Sequence, residues 1–218
     1  MQYLRYFIYL AWNWDLKLAF FVLRHEIRGE KKYGQHTIGI DFLKNLNKAE
    51  TLHASVSQPI NYYTAELLFA QTYLEDVAGT ILDMGCGKGR VFGIAAHYGF
   101  KHIIGIDFSQ TLCATAAKNA ANLMEKFNDV NIEVVCADAA LYEIPPAVTT
   151  IFLFNPFDDF IMRKMLNRLQ ESIRRYPRNI KILYANPVCK KLFTDAGFTE
   201  TYYFKKMNYL EGSVLETV

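Results

Sequence analysis

Metal-ligand and disulfide patterns are missing from this sequence of 218 residues. The chain has four cysteines and five histidines, and neither set contains a C-x-x-C pair or another spacing typical of a metal site. No secretory signal is visible at the N-terminus. Scattered cysteines without such a signal are typical of reduced thiols. The sequence therefore predicts a cytoplasmic protein that holds no metal.

Charge of one sign is also scarce, because 24 Lys and Arg residues stand against 22 Asp and Glu residues, a formal net charge of +2. The local basic cluster of Arg174, Arg175 and Arg178 is short and typical of a solvated face, so there is no strong signal for nucleic-acid binding. Hydrophobic residues make up 51% of the chain and aromatic residues 15%, which excludes a disordered protein. Such a chain can bury one substantial core with a small appendage.

A long uninterrupted hydrophobic run is absent as well, even from the aromatic-rich residues 1–23. Arg5, Asp15 and Lys17 interrupt this segment, whereas a bilayer span needs about 20 predominantly apolar residues. Its apolar residues follow helical spacing and predict one amphipathic helix. The face that we expect to be buried consists of Leu4, Phe7, Ile8, Ala11, Trp14, Leu18 and Phe21. Three partners for this helix stay open: the protein's own domain, a membrane surface, or self-association with another subunit.

The pattern of the sequence changes near residue 77. Residues 1–76 predict a helical N-terminal extension that serves as a substrate cap. In residues 77–218, short apolar runs alternate with helical patterns, which predicts an α/β fold with a doubly wound, mostly parallel seven-stranded sheet. The expected parallel strands lie at 80–82, 102–106, 132–136, 151–154 and 180–184, and residues 199–205 and 213–218 predict a C-terminal antiparallel hairpin. Ligands of such sheets bind beyond the carboxyl ends of the strands.

A glycine-rich turn follows the first strand, with Gly85, Gly87 and Gly89 at alternate positions. Glycines allow a backbone with positive φ and a close approach of a ligand, and the N–H groups of the next helix attract an anion. The G-x-G-x-G spacing differs from the G-x-G-x-x-G of dinucleotide-binding proteins, since Arg90 stands where that pattern has glycine. No Gly-Lys-[Ser/Thr] is present, which excludes a Walker-type phosphate loop.

Asp107 ends the second strand, about 20 positions beyond the glycine turn, where an acidic residue binds ribose hydroxyls. An alternative interpretation is an acid that precedes a helix beginning after Ser109. Three segments then resemble the first three motifs of class I S-adenosylmethionine-dependent methyltransferases: ILDMGCGKGR (81–90), IIGID (103–107) and VCADA (135–139). The chain is also similar to a poorly characterised group of bacterial methyltransferases, and its GKGRV run to certain protein-lysine methyltransferases.

The resemblance covers residues 77–218 and implies a Rossmann-like methyltransferase fold that binds S-adenosyl-L-methionine. It implies that the three glycines lie under the methionyl part of this cofactor, with Asp83 near the ammonium group. Asp107 is then expected on the ribose, Asp138 on the adenine amino group and Ala139 against the ring. The expected cofactor-binding residues are Asp83, Gly85, Cys86, Gly87, Gly89, Asp107, Phe108, Asp138, Ala139 and Asn155.

A fourth motif, FNPF (154–157), is similar to the Asn/Asp-Pro-Pro-aromatic motif of methyltransferases that modify amide or adenine amino nitrogens. It has one proline rather than two, and its aromatic residue comes one position early. The resemblance implies that Asn155 accepts hydrogen bonds from the acceptor and that Phe157 stacks on it, which makes both candidate catalytic residues. A simple turn-forming Asn-Pro is the alternative interpretation.

Together these motifs predict a methyltransferase whose acceptor is a protein or a small molecule, with a nitrogen atom favoured as the methylated position. Methyl transfer from a sulfonium needs alignment of the acceptor more than a nucleophile–base triad, and none is visible in the sequence. Two alternatives stay open. One is a non-catalytic S-adenosylmethionine-binding scaffold, and the other is an NAD(P)-binding oxidoreductase domain.

Overall fold

A computed structural model describes residues 2–35, 37, 59–154 and 158–217. A seven-stranded sheet lies at its centre, with the strand order β3-β2-β1-β4-β5-β7-β6. The strands are β1 (Thr80–Met84), β2 (His102–Asp107), β3 (Asn131–Cys136), β4 (Val148–Phe154), β5 (Lys181–Ala185), β6 (Phe198–Lys206) and β7 (Leu210–Thr217). The first five strands are parallel, and β7 pairs antiparallel with both β5 and β6. The predicted sheet and its C-terminal hairpin are confirmed.

Helices cover the sheet and form the N-terminal region of the described residues. They are α1 (Gln2–Asn13), α2 (Leu16–Tyr33), α3 (Tyr62–Phe69), α4 (Leu74–Ala78), α5 (Arg90–Tyr98), α6 (Gln110–Lys126), α7 (Asp159–Arg175) and α8 (Lys190–Asp195). Ser109 caps α6 by accepting a hydrogen bond from the Leu112 N–H, as the sequence predicted. Asp158 caps α7 in the same way.

Each parallel strand supplies side chains to two hydrophobic cores, because successive residues of a strand point to opposite faces of the sheet. On β1, Ile81 packs into the core with α3, α5 and α6, and Leu82 packs into the core with α7 and α8. Every residue of β1 and β5 is buried. This double burial explains why these strands appear in the sequence as continuous apolar runs rather than alternating ones.

The prediction of one N-terminal helix over residues 1–23 is wrong in its extent and in part of its buried face. The helix stops at Asn13, and Asp15 is extended before α2 begins. The side chains in the core at this end are Tyr6, Leu10, Leu18, Ala19, Val22 and Leu210. Leu4, Ile8 and Trp14, which were expected inside, are exposed. Because the chain is extended at Asp15, the buried residues of α1 and α2 do not follow one continuous helical spacing. A single spacing fitted to residues 1–23 therefore assigns some exposed residues to the buried face.

The buried face of α7 differs slightly from the one that simple helical spacing gives. A spacing that starts at Ile161 would place Ile161, Met165, Leu169 and Ile173 inward, whereas the buried residues are Met162, Met165, Leu166 and Leu169. Ile161 and Ile173 pack at the edge of the same core. Within the part of the chain that the structure describes, no helix has the length and apolar character that crossing a bilayer requires.

Candidate active site

The strand order reverses between β1 and β4, and the glycine turn lies at the carboxyl end of β1 at this point. Gly85, Gly87 and Gly89 have φ values of 82°, 54° and 78°, which side chains rarely allow. The N–H groups of Gly85 and Cys86 both donate to the Ile106 carbonyl, at 2.9 and 2.8 Å. The turn is therefore held against β2 while its open side faces the crevice in which doubly wound sheets bind ligands.

Asp83 lies next to the last residue of β1 and is 3% exposed. Its Oδ2 atom is buried without a hydrogen-bond partner, although the residue lines the crevice. Burial, together with the nearby Asp107 carboxylate, raises the pKa of Asp83 well above its usual value. A buried carboxylate oxygen without a donor is unfavourable, and a ligand that brings a positive charge would relieve this.

Asp107 ends β2 and holds the glycine turn from the other side. Its Oδ2 accepts a hydrogen bond from the Gly87 N–H at 3.0 Å, and its Oδ1 accepts one from the Ser109 N–H at 2.9 Å. Burial raises the pKa of Asp107, and these backbone hydrogen bonds oppose the rise. Each carboxylate oxygen has a second acceptor position, so the residue can orient the turn and still accept from ribose hydroxyls. Binding of ribose and a position before the helix that begins after Ser109, the two roles that the sequence left open for Asp107, are therefore compatible.

A cleft of about 460 Å³, open to solvent, joins the glycine turn to the end of β4 and to the N-terminal region. Its lining residues come from three parts of the chain: Thr37, Pro59 and Ile60; Asp83, Gly85, Cys86, Gly87, Lys88, Arg90 and Val91; and Phe152 and Phe154. The Cys86 thiol is buried there, and burial raises its pKa well above the usual value, so it stays protonated.

Arg90, the first residue of α5, connects this turn to the N-terminal helices. Its Nη1 donates to the Glu26 carboxylate at 2.7 Å and to the Ile60 carbonyl at 2.6 Å, and its Nε donates to Thr37 Oγ1 at 2.7 Å. The guanidinium also lies 4.3 Å from the ring centre of Tyr62. Burial would lower the pKa of Arg90, but the Glu26 carboxylate raises it above its usual value, so the group remains a cation.

One further contact ties the same region to the turn, and two others hold the N-terminal region together. Gln35 donates from Nε2 to the Gly89 carbonyl at 3.1 Å. Glu30 accepts from the Thr37 N–H at 2.9 Å and from the Tyr3 hydroxyl at 2.6 Å. These residues were missed in the sequence. The available signal was that Glu26 and Glu30 are one helical turn apart in a segment otherwise rich in Lys and Arg.

The other predicted site residues lie further along the sheet edge. Asp138 is exposed beyond β3, where its Oδ1 accepts from the Ala140 N–H at 2.8 Å. Ala139 is buried against the second core, and Phe108 is half-buried after Asp107. The structure thus places Asp83, Gly85, Cys86 and Gly87 around one cleft, with Asp107 behind the turn. The candidate catalytic residues Asn155 and Phe157 lie outside the described residues.

Residues 81–181 match a family model described as a methyltransferase domain. A solved structure of an S-adenosylmethionine-dependent methyltransferase from Aquifex aeolicus is similar over 71% of this chain and 89% of its own, with 16% identity and a TM-score of 0.54. The magnesium protoporphyrin IX methyltransferase from Synechocystis PCC 6803, solved with bound S-adenosylmethionine, has 16% identity, a TM-score of 0.50 and coverage of 90% of this chain and 82% of its own. No curated protein sequence matches.

Residues 81–181 form a methyltransferase domain. The NAD(P)-binding oxidoreductase, which the sequence left open, is thereby set aside. The residues of this methyltransferase fit its cofactor, because the unpartnered Asp83 carboxylate oxygen in the cleft suits a ligand ammonium. The glycine turn leaves room beside the backbone for the methionyl part.

Proposed function

We propose that this methyltransferase modifies a nitrogen atom of a protein or a small molecule that enters the cleft beside the carboxyl end of β4. The observation that carries this proposal is the shared cleft. Phe152 and Phe154 of β4 line it together with Asp83 and the glycine turn, and Asn155 follows Phe154 directly in the chain. The acceptor-binding motif that the sequence indicates is therefore attached to a wall of the cofactor cleft.

S-adenosylmethionine supplies a methyl group on a sulfonium, which needs no further activation by the protein. The Asp83 carboxylate would accept hydrogen bonds from the cofactor's ammonium group, and Asp107 from its ribose hydroxyls. Asp138 and Ala139 would bind the adenine. The amide oxygen of Asn155 would hold an acceptor NH₂ group so that the nitrogen lone pair points towards the methyl group, while Phe157 stacks on the acceptor.

The titratable groups of the cleft favour an acceptor that already has a free lone pair. Among the described lining residues these groups are Asp83, Cys86, Lys88 and Arg90. Arg90 is held as a cation by Glu26, and the Cys86 thiol stays protonated. Asp83 is assigned to the cofactor's ammonium, and the described lining residues include neither a histidine nor a second carboxylate that could remove a proton from a lysine ammonium. An amide or aromatic amine fits this environment better.

The N-terminal region supports a role as a substrate cap. Thr37, Pro59 and Ile60 line the same cleft as the glycine turn. Arg90 holds two of them through hydrogen bonds to Thr37 Oγ1 and the Ile60 carbonyl. An acceptor that approaches the cofactor would pass these residues, which suits a wall that excludes water and selects the substrate.

Asn155→Ala tests the acceptor proposal. We expect affinity for S-adenosylhomocysteine to stay within about threefold, because Asn155 would contact the acceptor rather than the cofactor. Methyl transfer should fall by about 10² to 10³, the effect of losing one aligned contact in the transition state. Transfer is measured with radiolabelled S-adenosylmethionine into a cell lysate separated into protein, nucleic-acid and small-molecule fractions.

Asn128→Ala, at an exposed asparagine after α6, is the matched control and should leave transfer unchanged. Equal losses of affinity and transfer in Asn155→Ala would mean that Asn155 supports the cofactor pocket. Full activity in that variant would return Asn155 to a turn-forming role. Cofactor binding without transfer by the unaltered protein into any fraction would favour the non-catalytic scaffold.

A further inference from the structure

The two N-terminal helices expose an apolar stripe that the methyltransferase domain does not cover. On α1, Leu4, Ile8 and Trp12 are spaced by one helical turn and are 63%, 55% and 89% exposed. They lie on the side opposite Tyr6 and Leu10, which pack into the core. Three large apolar residues on one side of a two-faced helix form a surface for a further partner.

Exposed apolar residues also occur on α2, where Leu16, Phe20 and Ile27 are 55%, 61% and 50% exposed. Phe20 also contacts Phe7 of α1, with ring centres 4.8 Å apart. We call α1 and α2 together, residues 2–33, the N-terminal hairpin. Its exposed apolar side chains belong to both helices.

Basic residues accompany this stripe. The exposed Lys and Arg residues of the N-terminal hairpin are Arg5, Lys17, Arg24, Arg28, Lys31 and Lys32, of which Lys32 is paired with the Glu66 carboxylate of α3 at 2.7 Å. Its acidic residues are three, and two of them, Glu26 and Glu30, are buried beside the Arg90 guanidinium. Only Asp15 is exposed. The surface of the N-terminal hairpin is therefore strongly positive, although the whole chain has a formal net charge of only +2.

We infer that the N-terminal hairpin docks on the surface of an anionic lipid bilayer. Apolar side chains that include tryptophan and phenylalanine, next to Lys and Arg, are the composition of helices that lie in the bilayer interface. The basic residues complement anionic headgroups. A second copy of the chain fits less well, since a symmetric dimer through this surface would bring the same positive charges together. This inference does not depend on the identity of the methyl acceptor.

The chain carries a built-in probe for this docking. Its two tryptophans, Trp12 and Trp14, both belong to the N-terminal hairpin. The full-length protein is mixed with vesicles of phosphatidylcholine alone, or of equal parts of phosphatidylcholine and phosphatidylglycerol. We expect a blue shift of tryptophan emission and co-sedimentation with the anionic vesicles only, and both should weaken as salt is added.

Two pairs of variants separate docking from folding. Arg24→Ser with Arg28→Ser should weaken co-sedimentation with anionic vesicles by about fivefold for each charge, or about 25-fold together. Arg174→Ser with Arg175→Ser, at exposed positions in the last turn of α7, is the matched control and should leave it unchanged. Ile8→Ser with Trp12→Ser should abolish binding while the melting temperature stays the same, since both side chains are mostly exposed.

Absence of co-sedimentation with anionic vesicles would overturn the inference. Equal weakening by the control pair on α7 would overturn it as well, because binding would then follow overall charge. Sedimentation velocity supplies the remaining check. In the alternative outcome, the protein fails to bind vesicles and instead forms a stable dimer that Trp12→Ser dissociates. That result would assign the surface to self-association.

Discussion

Replacing Asp83 by asparagine should weaken cofactor binding while leaving the protein as stable as before or more so. Asp83 is buried in the cleft with an oxygen that has no donor, and Asp107 is the second carboxylate near it. In the proposed complex, the cofactor's ammonium provides the missing donor. Asp83→Asn removes the charge that attracts the ammonium, but it also removes the repulsion between two carboxylates.

The loss of affinity follows from one charged hydrogen bond. Such a bond contributes about 1.5–3 kcal/mol, so the dissociation constant for S-adenosylhomocysteine should rise about 10- to 150-fold. The asparagine amide can still accept a hydrogen bond with its oxygen, which makes the lower end of this range the better estimate. Isothermal titration calorimetry of the wild-type protein and the variant measures the difference.

The substitution should weaken binding but improve stability, and the improvement should depend on pH. Burial raises the pKa of Asp83 in the folded protein above the usual value of 3.8, so the folded state holds a proton that the unfolded state has lost. Stability of the wild-type protein therefore falls as pH rises from about 3.8 to the folded pKa, and is flat for this group above it. The asparagine of the variant does not titrate. The variant's advantage in urea unfolding should grow across this pH window.

Asp195→Asn, at an exposed position that ends α8, is the matched control for charge removal. It should leave affinity unchanged and lower stability by no more than about 0.5 kcal/mol, through its exposed ion pair with Lys191. The reasoning would be refuted by a variant that binds S-adenosylhomocysteine as tightly as the wild-type protein. It would be equally refuted by a variant that unfolds more easily at neutral pH, since Asp83 would then have a structural donor in the folded protein.

Two further predictions concern the neighbouring residues. Asp107→Ala should weaken S-adenosylhomocysteine binding by about 1–3 kcal/mol in calorimetry and should also lower the melting temperature, because two backbone N–H groups lose their acceptor. Unchanged affinity would contradict the ribose assignment. Arg90→Met should destabilise the protein by about 3–5 kcal/mol in urea unfolding, because Glu26 is left buried without its cation, and adding Glu26→Leu should recover part of this. A double variant no more stable than Arg90→Met would contradict that explanation.

The sheet could be predicted from the sequence because its signals are local. Each parallel strand is a short apolar run followed by a turn or a capped helix, and Ser109 and Gly99 mark helix boundaries with their own side chain or backbone. The glycine turn and Asp107 follow from spacing in the same way. The hydrogen bond from the Gly87 N–H to Asp107 forms because β1 and β2 are neighbouring parallel strands, so that their carboxyl ends lie side by side. The alternation of strands and helices in the sequence already indicates a parallel sheet.

The N-terminal region could not be predicted as well, because its partners are distant in the chain. Arg90 is 64 positions from Glu26, and no local pattern joins them. The helix break at Asp15 is also set by packing, since Tyr6 and Leu10 of α1 share one core with Leu210 near the C-terminus. Tyrosines supply much of the buried surface there, and a tyrosine in the sequence fits a buried or an exposed position equally well.

The buried pair of Arg90 and Glu26 restricts how this protein could be recombined with its relatives. A chimaera that joins residues 77–218 to the N-terminal region of another methyltransferase would place Arg90 in a buried site without its carboxylate. The N-terminal helices and the glycine turn therefore have to be inherited together, or exchanged together with both members of the pair. In this chain, the N-terminal region is not a module that can be replaced independently of residues 77–218.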